Sequence, residues 1–123
     1  MNKKPVFLDL TKIVLPYPAL ISILHRVSGV GLFFSFPFIL PILGHIRSGG
    51  YLNYMYFLNT FLGKTIIWLI SSALIYHILS AMRHFLSDFL GGESLLHSRL
   101  TAKITLFLAG VLIIMMFFKV YFL

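Results

Sequence analysis

Residues 65–92 read TIIWLISSALIYHILSAMRHFLSDFLGG, and this stretch decides the fold. From Thr65 to Met82 it contains no Asp, Glu, Lys or Arg. As a helix that run rises roughly 27 Å, close to the thickness of a bilayer's hydrocarbon core. The helix is expected to continue to Phe89 or Leu90. Gly91-Gly92 then stops it, since glycine takes the left-handed conformation that closes a helix end.

Two similar blocks flank it. Upstream, Val27–Ile46 is long enough for one crossing, and its helix is expected to begin near Leu20. Pro37 and Pro41 lie inside; each removes a backbone hydrogen bond and should bend the helix, which neighbouring helices make tolerable. Downstream, Ile104–Phe118 is expected to run on to the C-terminus, with Lys119 snorkelling and Tyr121 at the far interface. The connection Arg47–Lys64 holds the breaker Ser48-Gly49-Gly50 and three interfacial aromatics, Tyr51, Tyr54 and Tyr56. Gly91–Lys103 reads as a polar, basic loop. Residues 1–19 form a lead whose Pro5, Pro16 and Pro18 oppose one continuous helix, with Val6–Leu15 apolar enough to lie at the interface.

The expectation is an all-α membrane protein, a single domain over 1–123 with spans at about 20–46, 65–90 and 104–123. Composition agrees: 59% of residues are hydrophobic, 11% are charged and the mean hydropathy is +0.98. A soluble domain of this size needs more polar residues to cover its surface. The absence of cysteine excludes disulfides, iron–sulfur ligation and thiol catalysis by this chain. Its net charge of +7 does not point to nucleic acid, because the cations flank the apolar blocks instead of forming one patch. No small-residue cleavage site follows the early apolar residues, so a secretory signal is not expected. Lys3, Lys4, Lys12, Arg26, Arg83, Arg99 and Lys103 fall on one side of a three-span topology, and Arg47, Lys64 and Lys119 on the other. The positive-inside rule therefore places the N-terminus in the cytoplasm and the C-terminus on the opposite side.

Five histidines occur, and His77 matters most, because Ile75, Ile78 and Leu79 surround it deep in the second span. An intramembrane ionisable group is a functional-site hypothesis by default, and a neutral imidazole in an apolar bundle is a common axial ligand to haem iron. A histidine bonded to a neighbouring helix is the structural alternative, and the residues alone leave both open. His84 lies close to two turns further on and on the same face, where with Arg83 it can form a cationic rim for haem propionates or simply anchor the helix. Ser22, His25 and Arg26, spaced i, i+3, i+4, put a hydroxyl, an imidazole and a guanidinium together at the same membrane boundary. Such donors suit the carbonyls of a quinone head; the structural alternative is an anchoring Arg26 and a Ser22 bonded to its own backbone. Asp88, near the helix end, is either a proton relay or a partner for Arg83 or Arg26. His45 and His97 read as interfacial and non-functional. A proton or cation transporter built on His77 and Asp88 would need acids at mid-membrane, and no span holds one.

These residues resemble a family. Ser22-Ile23-Leu24-His25-Arg26-Val27-Ser28-Gly29 is similar to the S-x-x-H-R-x-S/T-G motif of the cytochrome b, or large membrane anchor, subunits of succinate dehydrogenase. His77 through Asp88 resembles their second signature, H-x-x-x-G/A-x-R-H-x-x-x-D, and Lys4-Pro5-Val6-Phe7-Leu8-Asp9-Leu10 resembles their opening R-P-x-x-L-D-L. Lys4 stands where Arg is usual and Ala81 where Gly is common, which touches subtype more than family. The resemblance implies a subunit of respiratory complex II that is non-catalytic alone. Its partners would be a flavoprotein, an iron–sulfur subunit and a second small membrane anchor, in the bacterial inner membrane ahead of its mitochondrial equivalent. It implies haem b shared with the sister anchor, with His77 as one axial ligand to iron and His25, Arg26 and His84 around the propionates. It further implies ubiquinone held partly by Ser22 and Arg26. A quinol:fumarate reductase anchor, or an anchor that binds quinone without haem, are the neighbouring alternatives. With so few intramembrane contacts of its own, the chain is not expected to be stable without partners.

Overall fold

The computed structural model describes residues 15–47, 51–90 and 94–122, as four helices in the order α1 (Tyr17–Arg47), α2 (Tyr51–Leu58), α3 (Phe61–Leu90) and α4 (Leu95–Phe122). Three of them, α1, α3 and α4, are long and apolar enough to cross a membrane, and no strand occurs among the described residues. The N-terminal lead to residue 14, with its family-like opening, lies outside the described residues, as do 48–50, 91–93 and the side chain of His45.

Local chemistry sets the helix ends. The Pro16 carbonyl accepts the amides of Ala19 and Leu20, at 3.0 and 3.1 Å, so α1 starts immediately after Pro16 with Pro18 in its first turn. There a missing N–H costs nothing. Despite Pro37 and Pro41, α1 continues as helix to Arg47. Thr60 caps α3: its Oγ1 accepts the Gly63 amide at 3.1 Å. The second span therefore begins at Phe61, earlier than the expected position 65, and the eight residues of α2 occupy part of the expected connection. Ser94 caps α4, its Oγ accepting the His97 amide at 3.3 Å. The expected loop up to Lys103 is thus helical from Leu95, because Leu95–Lys103 has neither glycine nor proline and its Ser98 and Thr101 hydroxyls find Arg83 on α3.

Helix α3 is central and packs against both other long helices. Tyr76 donates to the Ile21 carbonyl of α1 at 3.1 Å. On the other side Trp68 donates to the Ile113 carbonyl at 3.3 Å, and the Thr65 and Tyr121 hydroxyls bond at 2.7 Å. Without water, such interhelical bonds and close approach at small residues hold helices together, and Ala102 and Ala109, seven residues apart on α4, are both buried. Little else is. Phe33, Phe38 and Phe107 are 72, 72 and 74% exposed, so the long helices present large apolar surfaces to lipid or to partner helices.

Gly63 is where α2 folds back on α3. A Cβ there would meet the Phe57 carbonyl oxygen and lie 2.8 Å from the Leu58 Cα, both backbone atoms that cannot rotate away. Gly63→Ala is expected to destabilise this corner by about 1–3 kcal/mol, the usual range for overpacking. A lower thermal midpoint, with protease sensitivity rising around Tyr51–Leu58, would report it; an unchanged midpoint would show that α2 moves freely.

Candidate functional site: a histidine cluster between two helices

Helices α1 and α3 bring the two motifs face to face. The His25 and His77 rings stack, with centroids 4.2 Å apart and planes 17° from parallel. The His84 ring lies 5.6 Å from that of His25 at 51°. Three imidazoles from two helices thus form one cluster of rings. Positions 77 and 84 lie on one face of α3, and 25 fills the facing turn of α1.

Two residues without an assigned role in the sequence reading complete the site. Ser28 Oγ donates to the His25 carbonyl at 2.8 Å and lies 3.1 Å from His77 Nδ1. A hydroxyl has a single hydrogen. With that hydrogen on the His25 carbonyl, the oxygen accepts from Nδ1–H of His77, and the Nε2 lone pair of His77 stays available. Gly29 supplies clearance: a Cβ built there would lie 3.1 Å from His77 Cε1 and 3.6 Å from Nδ1. The usable signal was the S/T-G ending of the first motif, one turn beyond His25.

The other expected residues fall out differently. Ser22 is half-buried and Arg26 exposed, and among the described residues neither forms a hydrogen bond or ion pair. Arg83 does not join His84 in a cationic rim. It is 8% exposed and turned to α4, where Nε donates to Thr101 Oγ1 at 3.3 Å and Nη2 to the Ser98 carbonyl and Oγ, each at 3.1 Å. Consecutive helix residues point about 100° apart, so 83 and 84 face different neighbours. Asp88 is exposed and pairs with neither Arg83 nor Arg26 among the described residues, so the partner role considered for it is not taken here. His97 is exposed near the start of α4.

The chemistry of the cluster suits a haem. The His25 Nε2 is buried without a hydrogen-bond partner, and Nδ1 of His77 is anchored by Ser28, the arrangement usual for a histidine that ligates a metal through its other nitrogen. No group of three or more His, Asp or Glu among the described residues is placed to enclose a metal ion. A separate cavity of about 630 Å³ lies between α1, α2 and α3; Ser35, Phe38, Tyr54, Phe57 and Ile70 are among its lining, and it contains none of these histidines.

Comparison with known proteins gives the same direction. The family described as succinate dehydrogenase/fumarate reductase transmembrane subunit matches residues 1–118. A succinate dehydrogenase cytochrome b556 subunit of Coxiella burnetii is 33% identical over 104 residues, covering 81% of this chain and 82% of that protein. A protein of the same name from Rickettsia felis is 34% identical over 87 residues, covering 71% and 68%.

Proposed function

This chain belongs to the succinate dehydrogenase/fumarate reductase transmembrane subunit family, and on that premise we propose that it is the haem b- and quinone-binding anchor of a succinate:quinone oxidoreductase. One observation carries the reading: the paired arrangement of His25 and His77, with Ser28 holding Nδ1 of His77 and leaving Nε2 free. The cytochrome b names of the two relatives support haem, and their dehydrogenase names favour succinate oxidation over fumarate reduction.

When bound, haem b supplies a one-electron carrier beside the quinone. His77 would hold its iron, with a further ligand supplied by a sister membrane subunit. His25 and His84, on the same side of the bundle, would donate hydrogen bonds to its propionates, with Arg26 adding charge from the boundary. Ser22 and Arg26 would orient the quinone head near the interface, completed by partner subunits. Asp88, exposed near the end of α3, would serve as a proton relay to the quinone. Electrons would enter from a flavoprotein and an iron–sulfur subunit. The cation distribution supports an N-terminus on the cytoplasmic side, and the membrane would be a bacterial inner membrane.

The test is succinate-driven reduction of a ubiquinone analogue by the assembled complex. Arg26→Leu should raise the quinone KM roughly tenfold or more, the scale of a lost charged hydrogen bond, and Ser22→Ala less. Electron transfer from succinate to a soluble artificial acceptor should be unchanged in both. Wild-type quinone kinetics in Arg26→Leu would remove Arg26 from the quinone site.

A further inference from the structure

We propose that Ser28 is a positioning residue that sets the tautomer and ring plane of His77, an inference that rests on His77 being a haem ligand. Three distances on α1 and α3 carry it. Ser28 Oγ reaches the His25 carbonyl at 2.8 Å and His77 Nδ1 at 3.1 Å, and the Gly29 position allows the ring within 3.1 Å of where a Cβ would stand.

One assignment of donors and acceptors satisfies both Ser28 contacts at once. A serine in a helix commonly donates to the carbonyl one turn back, and Ser28 does so to His25. Its hydrogen is then spent, so the contact to His77 places the proton on Nδ1 of the imidazole. The run Nδ1–H of His77 to Ser28 Oγ–H to the His25 carbonyl is a short cooperative chain, and each bond polarises the next. Its effect is to increase electron density at Nε2 and to hold the ring against rotation. The stacked His25 ring on one side and Gly29 on the other leave the ring little alternative orientation. In metal sites an outer partner of this kind changes affinity by about 10- to 100-fold.

The experiment uses the assembled complex and three variants. Ser28→Ala removes the acceptor; Ser28→Cys keeps nearly the same volume with a weak sulfur acceptor; Ser28→Thr keeps the hydroxyl. Haem transfer to added apomyoglobin and the haem midpoint potential are measured for each. The expected result is transfer about 10- to 100-fold faster in Ser28→Ala and Ser28→Cys, with Ser28→Thr close to wild type. The midpoint potential should move positive in the first two, since a less polarised imidazole stabilises the ferric state less. If Ser28→Cys behaves as wild type while Ser28→Ala does not, the role is packing and the proposal is overturned. Unchanged transfer and potential in all three overturn it too, while leaving haem ligation by His77 intact. A wild-type complex without haem overturns both readings together, and is recognised before any variant is made.

Discussion

Replacing His77 with alanine is expected to abolish the b-type band in the reduced-minus-oxidised spectrum of the purified complex. The loss should exceed the roughly 10- to 100-fold affinity change typical of outer partners, because the iron loses an axial bond outright. The surrounding structure predicts more than simple loss. His77 makes a single hydrogen bond to Ser28, and its ring packs against that of His25 at 4.2 Å, so alanine leaves an imidazole-sized gap lined by polar atoms. Added imidazole should refill that gap and restore part of the band. His84→Ala should retain the band, shifted in potential alone, because His84 lies roughly 10 Å further along α3 and takes no part in the Ser28 contact to His77. Survival of the wild-type band in His77→Ala, with all subunits assembled, would make His77 a packing histidine and refute its assignment as ligand.

The depth of His77 was legible because hydropathy alone places it: uncharged residues run from Thr65 to Met82, and a lone imidazole among them stands out. The helical character of the spans was legible for the same reason. The starts of α3 and α4 were less so. Thr60 and Ser94 act as caps, but their surroundings do not separate a cap from a loop hydroxyl until the following amides are seen to bond back. Ser28 illustrates a deeper limit. Within its own helix it looks like an ordinary back-bonding serine, and it is one; its second partner sits 49 positions away on another helix. Arg83 and His84 show the same limit. Their adjacency fixes two directions about the helix axis, but which neighbour lies in each direction is a property of the bundle. Here α1 lies toward His84 and α4 toward Arg83.

That placement makes Arg83→Ala the variant with the largest expected structural effect. Arg83 is 8% exposed, and no carboxylate pairs with its guanidinium among the described residues. Its compensation comes from neutral oxygens, the Ser98 carbonyl and hydroxyl at 3.1 Å and Thr101 Oγ1 at 3.3 Å. Such an arrangement is stable only where the cation lies near the membrane boundary and the oxygens are held in place. A cavity of about 330 Å³ beside Arg83, Thr101 and Thr105 lets water reach the oxygens once the side chain is removed, which limits the cost. With hydrogen bonds to a charged group contributing about 1.5–3 kcal/mol each and partial rescue by water, a local loss of about 3 kcal/mol is expected. This converts to roughly a hundredfold faster amide exchange through local opening in the first turns of α4, from Leu95 to Thr105. The far end of α4 should keep its protection, because the Trp68–Ile113 and Thr65–Tyr121 bonds remain. Arg83→Lys should fall between, keeping the charge but losing the forked geometry that reaches Ser98 and Thr101 together. Equal exchange along α4 in Arg83→Ala and wild type would mean that apolar packing at Ala102 and Ala109, and not the guanidinium, holds the start of this helix against α3.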